Sequence, residues 1–119
     1  MPSDRQPHPD GASFSVSTGV HGPGRTIYVS GVLAAGRTLA EQTAGCFDEI
    51  EKVLGAEGAT LADVARITTY LTSLEEYSEF SRVRAERFAG ALPASTAVQV
   101  AGLLQDALVE IDAVAFLSI

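Results

Sequence analysis

The chain has 119 residues, a formal net charge of −7 and a pI near 4.6. Its eight Lys and Arg stand against fifteen Asp and Glu and form no basic block, which argues against a surface that grips nucleic-acid phosphates. One cysteine, Cys46, excludes an internal disulfide or a cysteine-built metal cluster, and no apolar run approaches the roughly 18–20 residues of a membrane span.

Residues 1–12 are rich in Pro, Asp and His and lack periodicity, so they are expected to form a flexible N-terminal arm before one domain over 13–119. They show no basic-then-apolar leader, and the expected location is cytoplasmic. Phe14, Val16, Thr18 and Val20 alternate with Ser15, Ser17 and Gly19, as in a half-exposed strand. A turn at His21–Arg25 leads into a second strand over Thr26–Ser30, and the two strands are expected to pair as a hairpin. Thr38, three residues before Glu41, is the expected cap of a long helix. Its apolar stripe is Leu39, Thr43, Cys46, Phe47, Ile50, Val53 and Leu54. Leu61–Val64 reads as a short helical turn and Ala65–Leu71 as a strand. Thr72 or Ser73 is expected to cap a second helix over Leu74–Phe88. There Leu74, Tyr77, Phe80, Val83, Arg84 and Phe88 recur at mostly helical spacing, while the many charges, Arg84 again among them, solvate the outer face.

The most informative stretch is Leu92–Phe116. Thr96, Val98 and Val100 alternate with Ala97, Gln99 and Ala101. Further on, Val109, Ile111, Ala113, Ala115 and Leu117 form one wholly apolar strand face. The opposite face, Leu108, Glu110, Asp112, Val114 and Phe116, is apolar with two carboxylates set into its middle. The order β-β-α-β-α-β-β with two amphipathic helices implies an α+β two-layer sandwich. The helix-free sheet face then calls for a partner, and a closed oligomer is the simplest one.

Several separated segments resemble one family. They are Tyr28-Val-Ser-Gly31, Glu41-Gln-Thr43, the run from Leu61 to Leu71, Leu92-Pro-Ala94 with Thr96, and the run from Val109 to Ala115. In order and spacing the chain resembles the RidA (YjgF/YER057c/UK114) family of reactive-intermediate deaminases. The resemblance implies a chorismate-mutase-like fold and a barrel-like homotrimer with small-molecule clefts between subunits. It also implies hydrolysis of 2-imino acids or their enamine tautomers to 2-keto acids and ammonia, with no metal or organic cofactor.

The resemblance also assigns residues. Where the family reads Pro-Ala-Arg-Ser, this chain reads Pro93-Ala94-Ser95-Thr96. Ser95 thus replaces the arginine that holds the substrate carboxylate, and a hydroxyl cannot reproduce that charged, bidentate fork. Phe14 stands loosely for a tyrosine, Ser81 for an asparagine and Gln99 for a glutamate, whereas Glu110 keeps the acidic residue that positions water. The expected catalytic residue is Glu110, orienting water or moving a proton. The expected substrate-binding residues are Ser95, Thr96, Gln99, Tyr28, Gly31 and Phe14, with Gly31 permitting close approach of backbone to ligand. Arg25 or Arg37 could restore a charge from a loop. Cys46 is expected in the core and His21 on the surface.

Ordinary 2-imino acid deamination is therefore disfavoured. A specialised reaction on an imine, enamine or related carbonyl compound, or a substrate without a carboxylate, suits the change better. The alternatives are a non-catalytic trimeric metabolite-binding protein and, against the charge balance, an endoribonuclease or translation inhibitor.

Overall fold

The computed structural model describes residues 3–119. Six strands form one mixed sheet in the order β1-β2-β5-β4-β6-β3, and two helices cover one of its faces. The strands are β1 (Ser3–Pro7), β2 (Ser15–Val20), β3 (Gly24–Val32), β4 (Val64–Leu71), β5 (Ala94–Gln99) and β6 (Val109–Ser118). The helices are α1 (Leu39–Ala56) and α2 (Tyr77–Arg87), and short 3-10 turns precede β4 and β6. This is the expected α+β two-layer sandwich, with one more strand at the N-terminal end.

The helix starts follow the capping chemistry only in part. Thr38 Oγ1 accepts the Glu41 backbone N–H at 3.1 Å, as expected of a cap. The reciprocal half of the box is displaced, because the Glu41 carboxylate accepts from the Arg37 backbone N–H instead. Thr60 and Asp63 form a complete capping box before β4. The second helix starts later than expected, at Tyr77, and no side chain caps its N-terminus. Ser73 accepts the Glu75 N–H, which closes a local turn and leaves Leu74 47% exposed.

The core lies between the helices and the sheet. Leu39, Cys46, Phe47, Ile50 and Leu54 of α1 are buried against Ile27, Val29, Ile67, Leu71, Val109, Ile111, Ala113 and Ala115. Val53, expected on the stripe, is 38% exposed. Phe47 sits at the centre, edge-on to Phe88 with ring centroids 5.1 Å apart and 6.4 Å from Phe80. Truncating such a ring to alanine costs about 3–5 kcal/mol. Arg87 holds the helices together by donating to Asp48 at 2.8 Å and to the Ala44 carbonyl at 3.1 Å.

Two expectations fail at the N-terminal end. Part of the segment read as a flexible arm is β1, paired antiparallel with β2 from Ser3↔Val20 to Pro7↔Ser15. Arg5 fastens it by donating to the carbonyls of Leu92, Ala62 and Val64 at 2.8–3.1 Å. Those bonds use backbone acceptors, so they leave no periodicity in the sequence. The expected β2–β3 hairpin also gives way. β2 pairs with β1 and meets β5 at Ser15↔Ala94, and its Thr18 hydroxyl donates to the Ala65 carbonyl at 2.5 Å. β3 instead pairs along its length with β6 at the far edge of the sheet.

Cys46 is fully buried, its thiol donating to the Val32 carbonyl at 3.4 Å. Burial, and secondarily the Glu110 carboxylate, push the thiol from 9.0 up to about 12. The unfolded thiol ionises first, so this group favours the folded state below its unfolded pKa. That contribution is lost as pH rises through the folded value. At pH 8.5 the native protein should therefore resist iodoacetamide and label fully in denaturant. Labelling at equal rates in both states, followed by mass spectrometry, would contradict this burial.

Candidate functional site

The sheet divides the candidate residues between its two faces. On β6, Glu110 and Asp112 point away from the helices, while Val109, Ile111 and Ala113 point towards them. Register places Tyr70 beside Glu110, Thr68 beside Asp112 and Thr96 beside Thr68 on this uncovered face. Tyr28, opposite Val114 on β3, joins the same face and is 78% exposed. The Tyr70 hydroxyl donates to Asp112 at 3.1 Å, and this hydrogen bond raises the phenol pKa. One of the two acids on this face is thus engaged.

Glu110 lies over a break in the β3–β6 ladder. The register shifts between Val29 and Val32, and Gly31 falls in that bulge. A Cβ added at Gly31 would overlap Oε2 of Glu110 and approach its Cδ at 3.0 Å. Glycine is what lets the carboxylate rest on the backbone at this point. Among the described residues Glu110 forms no ion pair, so its lone pairs are open to water or ligand.

Ser95 lies on the other face. It pairs with Ile67 and points under α2, where its hydroxyl accepts from Arg84 Nη1 at 2.9 Å. Arg84 is 1% exposed. Its Nε and Nη2 both donate to Ser13 Oγ, at 3.0 and 2.8 Å, and Nη2 also donates to the Tyr77 hydroxyl at 2.9 Å. Ser81 lies 2.7 Å from Ser13 through their hydroxyls. Phe14 lies against the guanidinium with its ring centroid 4.9 Å from Cζ, and Phe80 does so at 4.8 Å.

The structure therefore joins Ser95, Ser81 and Phe14 around a guanidinium, and Glu110, Gly31, Tyr28 and Thr96 on the opposite face. Thr96 and Glu110 share that face but have β4 between them, a separation of at least roughly 10 Å. Gln99 joins neither group closely; its amide oxygen accepts the Leu74 N–H at 3.2 Å. Arg25 is taken by Glu57 in a 2.6 Å ion pair, and among the described residues the Ser95 hydroxyl bonds Arg84 and neither loop arginine. Two clefts of the protomer, of about 430 and 340 Å³, are lined by Leu33–Gly36 with Gln105–Ala107, and by Arg5 with Leu92; neither includes Ser95 or Glu110. Among the described residues no group of three or more His, Cys, Asp or Glu could hold a metal ion, and no helix is long and apolar enough to cross a membrane.

Arg84 is the residue that sequence reasoning missed as a site residue. A helical arginine ordinarily reads as solvated, yet this one shares its face with Tyr77, Phe80 and Phe88, all partly or fully buried. That spacing was the available signal. The positive charge absent from β5 is present on α2 and touches the serine that replaced it. Ser95→Arg should consequently crowd a second guanidinium against the first and lower Tm by several degrees. A thermal melt showing equal or higher Tm for this variant would contradict the placement of Arg84.

The sequence profile described as Endoribonuclease L-PSP matches residues 9–117. A RutC family protein of Pyrococcus abyssi is 36% identical over 78 residues, covering 66% of this chain and 61% of that relative. A bovine protein named 2-iminobutanoate/2-iminopropanoate deaminase is 33% identical over 99 residues, covering 76% of this chain and 72% of its own. Among solved structures, the Rid family protein YyfB of Yersinia pestis superposes with a TM-score of 0.87 at 27% identity, covering 98% of this chain and all of that one (100%). A YjgF/YER057c/UK114 family member from Mycobacterium tuberculosis does so with a TM-score of 0.77 at 30% identity, over 97% of this chain and 99% of that one. On this profile match, these identities and the shared fold, the chain belongs to the Endoribonuclease L-PSP family, the RidA or YjgF/YER057c/UK114 family that its motifs resemble.

Proposed function

We propose that the protein is a cytoplasmic small-molecule enzyme that hydrolyses a reactive imine, its enamine tautomer or a related carbonyl intermediate. The site is a cleft completed by a second protomer of a homotrimer. The observation that carries this reading is the Glu110 carboxylate, laid on Gly31 in the β3 bulge and free of any ion pair among the described residues. A carboxylate with open lone pairs beside an uncovered, largely apolar sheet face is placed to handle water rather than to close a structural bridge. The similarity to the bovine deaminase supports the same chemistry.

In this reading a water oxygen adds to the imine carbon as Glu110 takes one of its protons. The proton passes to the nitrogen of the resulting carbinolamine. Glu110 then takes the carbinolamine hydroxyl proton and delivers it to the nitrogen as the C–N bond breaks, giving a carbonyl and ammonia and leaving Glu110 a carboxylate. The chain supplies this by position and proton transfer alone. The opposite group, Ser95 with Arg84, faces away from Glu110 in one protomer. A ligand touching both must lie where the uncovered face of one protomer meets the Ser95 region of another. Tyr28 and Val98 provide exposed apolar surface for that contact, at 78% and 40% exposure. An RNA-cleaving role is disfavoured by the net charge of −7.

Replacing Glu110 by Gln keeps the shape and removes the base. Because Arg84 returns a guanidinium to Ser95, the parent protein is now expected to act on a 2-imino acid, contrary to the expectation from Ser95 alone. Turnover of 2-iminopropionate, generated by an amino-acid oxidase and followed by semicarbazide trapping, should fall about 100-fold in the variant. Light scattering should give three times the 12.4 kDa chain mass for both proteins. Unchanged turnover in the variant, or a 12.4 kDa particle at micromolar concentration, would contradict this proposal.

A further inference from the structure

A buried cation needs a counter-charge, and a guanidinium keeps its charge in a protein interior. Arg84 is 1% exposed, yet among the described residues no carboxylate lies within 4.0 Å of it. Its hydrogen-bond partners are all neutral hydroxyls, from Ser13, Ser95 and Tyr77. The rings of Phe80, Phe14 and Tyr77, 4.8, 4.9 and 5.6 Å from Cζ, offset part of the desolvation and cannot cancel a full charge. Arg84 is a cation waiting for an anion.

The geometry points to how that anion binds. Nε and Nη2 present the parallel N–H pair that a carboxylate takes with two oxygens. Here both converge on one atom, Ser13 Oγ, at 3.0 and 2.8 Å. Ser13 precedes β2, and among the described residues its hydroxyl bonds only Arg84 and Ser81. The chain is tied down just after it, where Ser15 N–H and hydroxyl donate to the carbonyls of Pro93 and Leu92 at 2.9 and 2.6 Å. Before it, Gly11 turns the chain at φ 71°, and Phe14 packs edge-on to His8 with ring centroids 5.1 Å apart.

We propose that Arg84 anchors a binding site for a small carboxylate, and that Ser13 holds this site closed by standing where a carboxylate oxygen binds. When the carboxylate enters, residues 12–14 withdraw and the Ser81, Ser95 and Tyr77 hydroxyls remain as neutral donors. A monoanion matches the single charge of Arg84; a phosphate dianion would leave excess charge beside the two rings that stay, Phe80 and Tyr77. That this carboxylate is the substrate's own rests on the imine-hydrolase reading, which restores to the chain, from α2, the grip that Ser95 removes from β5.

The test titrates the intact protein with pyruvate, a stable 2-oxo carboxylate, by calorimetry and amide NMR. Saturable binding is expected, with shifts at Ser13, Phe14 and Ser81 and no competition from inorganic phosphate. Arg84→Gln should weaken it at least about tenfold. Ser13→Asp tethers a carboxylate to the guanidinium, so it should raise Tm and abolish pyruvate binding. A lower Tm for Ser13→Asp, absent pyruvate binding, equal competition by phosphate, or binding untouched by Arg84→Gln would each overturn the proposal. If Arg84→Gln does not fold, the sign of the Ser13→Asp shift decides. Intact pyruvate binding without imine turnover in the parent protein would count against the hydrolase reading and uphold this site.

Discussion

A single charge inside the fold constrains much of what surrounds it. Arg84 gathers Ser13 and Phe14 from the N-terminal segment, Tyr77 and Phe80 from its own helix and Ser95 from β5. Each neighbour suits a guanidinium, either as a hydroxyl acceptor or as an aromatic face. The same charge explains why β5 carries a serine. Ser95 leaves room for the head group of α2 and accepts its hydrogen bond, where an arginine would bring a second positive charge to the same place. On the proposed reading, a guanidinium on α2 takes the part that the resemblance gives to an arginine on β5.

The second constraint is the sheet itself. Alternation along β6 sends four residues into the core at 0–2% exposure and leaves Glu110 and Asp112 on the uncovered side. Asp112 is occupied by Tyr70, while Glu110 rests on the glycine of a bulge. Glu110 and Arg84 therefore lie on opposite sides of one protomer. On the reading proposed above, catalysis is a property of the assembly, and the partly apolar open face would both join protomers and complete the cleft.

Where structure follows side-chain period or local capping, it was legible in the sequence. The α1 stripe apart from Val53, the Thr38 cap, the two faces of β6 and the place of Glu110 on its uncovered face all follow from spacing. Where it depends on backbone acceptors far along the chain, it was not. β1 is held by Arg5 on carbonyls about sixty and ninety residues away, and neither contact leaves a pattern in residues 3–7. The β2–β3 turn looks like a hairpin because turn chemistry is local, whereas the partner each strand finds is not. Arg84 escaped because its chemical type argued for solvent while its position argued for the core. Its burial is decided by Ser13, Phe14 and Ser95, none of them near it on the helix.

The most direct measurement is subunit complementation. Glu110→Gln and Arg84→Gln proteins, each expected to be impaired alone, are unfolded together, refolded as mixed oligomers and assayed for imine turnover. If one protomer supplies Arg84 and its neighbour Glu110, random mixing rebuilds an intact site at about a quarter of the interfaces of a cyclic assembly. Turnover should rise to about that fraction of the parent protein's. Mixed oligomers no more active than the separate variants would contradict a site shared between protomers.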